Sequence, residues 1–365
     1  MTIHIIQPAL PSYRIDFFRR VASAKGQEWN VVVYYSKIDM GALTKLSQEY
    51  AWSSELGPII SIFFGLFWQH GVTNISIQRG DIVVISGAPR CLSNIYILFK
   101  ARLLGAKTVW WGHFKGASAK AWRLWLRSLL MRFSDALIFY TDFEVAEFHS
   151  SFKFKGALLV RGLNNGLDLA DIKSVRDPYF ATERENSLLF IGRLTEKSEL
   201  KLLLRALHEP RLEKVHLRVI GTGNEDLNFR NYARSLGISD RVVWHGEMTS
   251  EAEIASIVNR CKLFVYPGAV GLSLLHAMSY GLPCIIHSER REHMPEFSAF
   301  DDYATGLAYQ RGSSASLSAK ISEALVSGET LEKWSQNCVA KTSESFNTED
   351  MARRFCDLVD HLEGI

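Results

Sequence analysis

Short apolar runs alternate with stretches of helical period along almost the whole chain. In the first half the runs are "IHIIQ" (3–7), "NVVVYY" (30–35), "DIVVIS" (81–86), "KTVWWG" (107–112), "DALIFY" (135–140) and "ALLVRG" (157–162). They are β-branched, apolar and bounded by polar residues or glycine, as central strands of a parallel sheet are. Helices are predicted between them at 13–24, 92–104, 117–133 and 142–152. The pattern then restarts with "SLLFIG" (187–192), "HLRVIG" (216–221), "RVVWHG" (241–246), "KLFVYP" (262–267), "PCIIH" (283–287) and "GLAY" (306–309). Helices are predicted around 200–207, 227–236, 251–260, 274–280 and 315–327. Two such sets predict an α/β chain of two doubly wound, Rossmann-like domains. The polar stretch 164–186 marks the break, giving domains 1–170 and 171–345 and a C-terminal helix, 346–365, able to cross back to the first domain.

One run departs from the alternation. "PIISIFFGLFW" (58–68) is too short for the roughly 20 residues of a spanning helix, so it is expected to be buried or interfacial. The helix in "HFKGASAKAWRLWLRSLLMRF" carries Trp122, Trp125, Leu126, Leu129 and Leu130 beside Lys115, Lys120, Arg123, Arg127 and Arg132. An apolar stripe with basic flanks suits a membrane interface, and it also suits an ordinary packed helix.

Charge sharpens this. Residues 1–170 hold 19 Lys+Arg against 11 Asp+Glu, and the remainder 23 against 28, within an overall charge of +3. The first half is expected to face something anionic, such as a membrane surface or a phosphorylated lipid. Nucleic acid is not expected, because the cations form no RNP, helix-turn-helix or zinc pattern. The five cysteines lie far apart without metal spacing and are expected as reduced, buried thiols. The N-terminus enters a strand at once, so no signal peptide is expected.

Ligands of an open α/β sheet bind beyond the carboxyl ends of the strands. Three segments of the second half lie there. Gly192 to Lys197 brings Arg193 and Lys197, two cations that make sense around an anion. Gly221 to Asn224 has Gly221 and Gly223 around Thr222, letting backbone approach a ligand. Pro267 to Ser273 places Gly268 and Gly271 before a short helix ended by Gly281 and Pro283, with Ser273 capping or beginning it. Free N–H groups at that helix start suit an anion. All three are expected to converge at one sheet edge.

The ordered set "FIGRLTEKSELKLLLRAL", "LRVIGTGNE" and "LFVYPGAVGLSLLHAMSYGLPCII", with "NNGLD" and the opening "QPALPSYRIDFFRRVA", resembles the retaining nucleotide-sugar glycosyltransferases of family 4. The resemblance covers almost the whole chain and is strongest over 187–287. It implies the GT-B fold, two Rossmann-like domains facing across a cleft. It also implies a UDP- or GDP-sugar donor on the C-terminal domain, a glycan or lipid-linked acceptor on the N-terminal one, and transfer without a metal or a further cofactor. Arg193 and Lys197 then match the donor-phosphate cations, and the backbone of Gly271, Leu272 and Ser273 faces phosphates or sugar. His113, in "WWGHFKG", falls near the reacting sugar.

Two departures stand out. The family often carries two glutamates in the third motif, for sugar hydroxyls and ribose, and those places hold Gly268 and His276. His276 retains a ring nitrogen for a ribose hydroxyl, and Glu296 is a candidate for the missing carboxylate. The N-terminal loop lacks the usual paired glycines, which leaves Tyr13 and Arg14 to contact acceptor or phosphate. The resemblance most often implies bacterial surface polysaccharide assembly (O-antigen or capsule type), on the inner face of the membrane. A GT-B epimerase or a non-catalytic nucleotide-sugar binder are the alternatives.

Overall fold

The computed structural model describes residues 1–38, 49–115, 121–151 and 158–364, the side chains of 121–123 excepted. The chain divides into two units, Met1–Asp168 with Thr348–Ile365, and Leu169–Asn347.

The first unit runs β1 (Thr2–Ile6), α1 (Ile15–Ser23), β2 (Asn30–Ser36), β3 (Ser53–Leu56), β4 (Ile59–Ser61), β5 (Phe67–Gln69), β6 (Ile82–Ser86), α2 (Leu92–Leu103), β7 (Lys107–Trp111), α3 (Ala121–Met131), β8 (Ala136–Phe139), α4 (Asp142–Ser151) and β9 (Leu159–Gly162). Its sheet has the order β3-β2-β1-β6-β7-β8-β9, all parallel. The central strands are apolar because both faces are covered. Ile82 and Val84 join one core with Phe17 and Phe18 of α1 and Phe355 of the C-terminal helix, Thr348–Glu363. Val83 and Ile85 join the other, with Ile97 and Leu98 of α2 and Phe148 of α4.

The second unit runs α5 (Ala170–Val175), β10 (Ser187–Ile191), α6 (Leu200–His208), β11 (His216–Ile220), α7 (Asp226–Ser235), β12 (Val242–Gly246), α8 (Glu251–Val258), β13 (Leu263–Tyr266), α9 (Leu272–Ser279), β14 (Cys284–His287), β15 (Gly306–Tyr309), α10 (Ser314–Ala324) and α11 (Gly328–Glu344). Its parallel sheet has the order β12-β11-β10-β13-β14-β15. Strand order reverses between β10 and β13, and between β1 and β6 in the first unit; crevices form at such points.

The run 58–68 is not buried. It pairs as the antiparallel hairpin β4–β5, and its tip carries Phe63 and Phe64 at 79% and 100% exposure. The short pairing, Ile59 with Gln69 and Ser61 with Phe67, projects the residues between them into solvent. Helix α3 covers its core with Leu130 and leaves Trp125 exposed; Lys120 lies outside the described residues, as do the side chains of Trp122 and Arg123. All five cysteines are free thiols, four of them buried. Among the described residues no helix is long and apolar enough to cross a membrane.

Candidate active site

The three glycine-bearing segments of the second unit meet through their backbones. A Cβ on Gly221 would collide with the carbonyl of Gly192, one on Gly223 with that of Leu194, and one on Gly268 with that of Lys197. Hydrogen bonds tie the same segments: Gly192 N–H to Ile220 O (3.0 Å), Leu194 N–H to Thr222 O (2.9 Å) and Glu225 N–H to Leu194 O (3.0 Å). All three follow the carboxyl ends of adjacent strands, β11, β10 and β13. Arg193 and Lys197 are exposed on this platform, and neither has a carboxylate partner among the described residues. Lys197 does not sit in the first turn of α6. It occupies a separate 3-10 turn, Glu196–Ser198, cut off from α6 by Glu199 at φ +51°.

Of the two places expected for Ser273, capping α9 or beginning it, the structure shows the second. Gly271, not Ser273, occupies the N-cap, with no side-chain cap, and Ser273 lies in the first turn. The Leu272 and Ser273 N–H groups therefore have no capping side chain to satisfy them. Gly281, at φ +73°, ends the helix.

A buried frame holds this loop. His293 Nδ1 accepts the Val270 N–H (3.1 Å), and its Nε2–H donates to His287 O (2.8 Å). Those two bonds fix one neutral tautomer. The His287 ring stacks on it at 3.7 Å and accepts the Glu289 N–H at Nδ1. Burial, with neighbouring His293 and Arg311, pushes His287 down to about 3; burial likewise pushes His293 down to about 4. The Tyr309 hydroxyl donates to Pro267 O (2.8 Å). Glu296 is 4% exposed, and a Cβ on Gly271 would lie 3.7 Å from its Oε2. It is a buried carboxylate beside the α9 cap rather than a solvated loop residue.

His276 has a partner that the sequence did not announce. Its Nε2 lies 3.0 and 3.1 Å from the two oxygens of Glu251, at the start of α8, and the Tyr280 hydroxyl donates to Glu251 Oε2 (2.7 Å). Burial works to raise the Glu251 pKa, but His276 and Tyr280 outweigh it and hold the carboxyl below its ordinary value. Glu251 is therefore an anion at neutral pH, half-buried, with a histidine and a phenol fixed on it.

The first unit gathers a second cluster beyond β1, β7 and β8. His113 Nδ1 lies 3.2 Å from Glu144 Oε1, which places the proton of that bond on Nδ1. The same carboxylate accepts the N–H groups of Phe114 (3.2 Å) and Tyr140 (3.0 Å). The His113 and Tyr140 rings are 4.4 Å apart. Arg14 sits in a 3-10 turn after β1, 7% exposed, its guanidinium 4.8 Å from the Trp111 ring centroid, 5.6 Å from that of Tyr140 and 5.8 Å from that of Tyr13. Within the first unit, then, Tyr13, Arg14 and His113 come together, joined by Trp111, Tyr140 and Glu144, which sequence reasoning did not single out.

Residues 171–339 match the family model described as glycosyl transferases group 1. Over 160 residues the chain is 30% identical to lipopolysaccharide 1,6-galactosyltransferase of Salmonella typhimurium, spanning 40% of this chain and 43% of that protein. The match thus spans less than half of that relative's length. Among solved structures the chain is similar to the apo form of the lipopolysaccharide outer core galactosyltransferase WaaB, with TM-score 0.71, 16% identity and 99% of each chain covered. It is also similar to Anabaena Alr3699/HepE in complex with UDP and glucose, with TM-score 0.66, 15% identity, and 99% of this chain and 100% of that one covered. At such identities the structural likeness carries the fold. The chain has the GT-B fold, and its residues 171–339 are similar to the glycosyl transferases group 1 family.

Proposed function

We propose that the protein transfers a sugar from a UDP- or GDP-sugar to a hydroxyl of a glycan or lipid-linked acceptor, with retention at the anomeric carbon. The observation that carries this is the platform of three backbone-packed loops bearing Arg193 and Lys197 beside the uncapped start of α9. As the glycosidic bond breaks, the departing diphosphate gains charge. Arg193, Lys197 and the N–H groups of Leu272 and Ser273 stabilise it most at that point, so they lower the barrier rather than merely tighten binding. Cations in these places make a divalent ion unnecessary. Glu296, buried beside Gly271, is a hydrogen-bond acceptor for sugar hydroxyls in place of the carboxylate lacking at Gly268. Glu251, oriented by His276 and Tyr280, is an acceptor for ribose hydroxyls. His113, held at Nδ1 by Glu144, offers Nε2 to a sugar hydroxyl.

The biological setting in this reading is surface polysaccharide assembly, with the first unit bound peripherally to an anionic membrane. The exposed Phe63, Phe64 and Trp125 and the basic first half support that contact.

A thermal-shift panel of UDP- and GDP-sugars, run with EDTA, tests the core of the reading. The true donor raises the melting temperature most, by mass action. Incubation with extracted glycolipid and that donor then yields a product whose new linkage keeps the donor's configuration. A melting temperature indifferent to every nucleotide sugar overturns the reading. A new free nucleotide sugar formed without acceptor would identify an epimerase instead.

A further inference from the structure

Two arginines are buried among the described residues, Arg14 and Arg184, at 7% and 6% exposure. They are accommodated differently. Arg184 donates through one terminal nitrogen to Val258 O (3.2 Å) and Cys261 O (2.9 Å), at the C-terminal end of α8 where a cation is favoured, although its Nε and other terminal nitrogen are sealed without an acceptor. Among the described residues Arg14 has no carboxylate and no carbonyl on its guanidinium. Its surroundings are the rings of Tyr13, Trp111 and Tyr140, and the Tyr13 and Tyr140 phenol oxygens, as hydrogen-bond partners and by charge, work against its desolvation. Its Nε is sealed from solvent without an acceptor, and so is Trp111 Nε1, on the ring that the guanidinium covers. Two adjacent buried donors without an acceptor are costly, and one of them belongs to a group that stays charged at any physiological pH. Ring quadrupoles offset only part of the desolvation of a cation. The position adds direction: Arg14 follows β1, at the point where strand order reverses between β1 and β6, and Trp111 ends β7 at the same edge.

We propose that Arg14 is an anion seat. A phosphate-type oxyanion on a substrate of this protein binds its terminal nitrogens, which are not sealed as Nε is, with Trp111, Tyr13 and Tyr140 as aromatic walls. Arginine suits such a group because its planar fork matches two oxygens at once. Resting on the transferase reading above, this makes the ligand of the first unit a phosphorylated molecule, a lipid diphosphate or a phosphorylated sugar, rather than a neutral glycan. The donor's own diphosphate is the other source of the same chemistry.

Calorimetric titration of the full chain separates these sources. The probes are geranyl diphosphate, glucose 6-phosphate, UDP and, as neutral control, glucose, each with wild type, Arg14→Lys and Arg14→Gln. Binding of geranyl diphosphate or glucose 6-phosphate is expected to weaken by about tenfold or more in Arg14→Gln, and by less in Arg14→Lys, with UDP unchanged. A selective loss of UDP binding instead assigns the seat to the donor. Equal binding of all probes by wild type and a folded Arg14→Gln overturns the proposal and makes Arg14 a packing residue. If Arg14→Gln does not fold, the Arg14 Nε–H resonance of wild type, assigned through Arg14→Lys, takes its place. It must shift with a phosphate probe and not with glucose, and a resonance indifferent to every probe is equally fatal. Because these are binding readouts, a protein that transfers no sugar can still pass them, and a working transferase can fail them.

Discussion

Gly268 and Lys197 touch so closely that a single methyl on Gly268 would strike the Lys197 carbonyl oxygen. The contact is backbone to backbone, so no side chain can swing aside. It sets the loop before α9 directly against the turn carrying the platform's second cation. Gly268→Ala should therefore push the two loops apart, lowering donor affinity by about tenfold or more and stability by about 1–3 kcal/mol. Gly328→Ala is the control, since the nearest atom there is Ala181 Cβ at 3.4 Å. Thermal denaturation and nucleotide titration of both variants check this.

Arg193→Ala and Lys197→Ala should leave folding untouched, because both side chains are exposed. Each should lower kcat/KM by about 10²-fold, with the loss carried mainly in kcat if the charge develops on the departing diphosphate. Steady-state kinetics with the donor found by thermal shift decide it. A loss confined to KM would mean the cations grip the ground state equally.

Glu251 and His276 should act as one unit. Glu251→Gln and His276→Ala are each expected to weaken binding of the free nucleoside diphosphate about three- to thirtyfold, and the double variant little more than the worse single one. Additive losses in calorimetry would mean that the two residues contribute separately. Unchanged nucleotide affinity would reduce the pair to a polar tie between α8 and α9.

Acid should weaken the second unit through His287 and His293. Both are held neutral, at about 3 and about 4, below the ordinary 6.5. Between those values the unfolded chain binds more protons than the folded one, so stability is complete above pH 6.5 and falls as pH drops towards 4. Each unit of depression corresponds to about 1.4 kcal/mol. His293→Gln, which keeps an acceptor for Val270 and a donor for His287 O, should flatten that pH dependence. Urea midpoints measured between pH 7.5 and 4.5 give the two slopes.

The central strands were legible because burial on both faces leaves no room for polar positions, as Ile82 to Ile85 show. The edge strand β3 was not. β3 is "SSEL" and mostly half-exposed, so it carries no apolar run. Helix α11 buries Ser335 and Thr342 alongside Leu331 and Trp334, which blurs its period, and it was not predicted. At the site the glycines were readable, since glycine is required where backbones touch. What stayed hidden was pairing across distance. Nothing in the sequence connects Glu251 with His276, 25 residues on, or His293 with Val270, 23 residues back. The isolation of Arg14 is likewise a property of its surroundings, whose rings come from three separate strand ends.

The helix Thr348–Glu363 closes the core of the first unit with Met351, Phe355, Leu358, Val359 and Leu362, all at most 3% exposed. Phe355 meets the rings of Phe17 and Trp111 at 5.8 and 6.4 Å, and the Thr348 hydroxyl donates to Asp16 (2.5 Å). Burying such side chains is worth about 1.5–3 kcal/mol each. The ribosome makes that helix only after all of 169–347. The later-synthesised unit is thus the first with all its parts available, while the earlier one waits, its apolar sheet face uncovered, for the helix Thr348–Glu363. Stalled or clipped polypeptides lacking that helix would be the aggregation-prone species, and chaperone dependence should track 348–363 rather than the second unit.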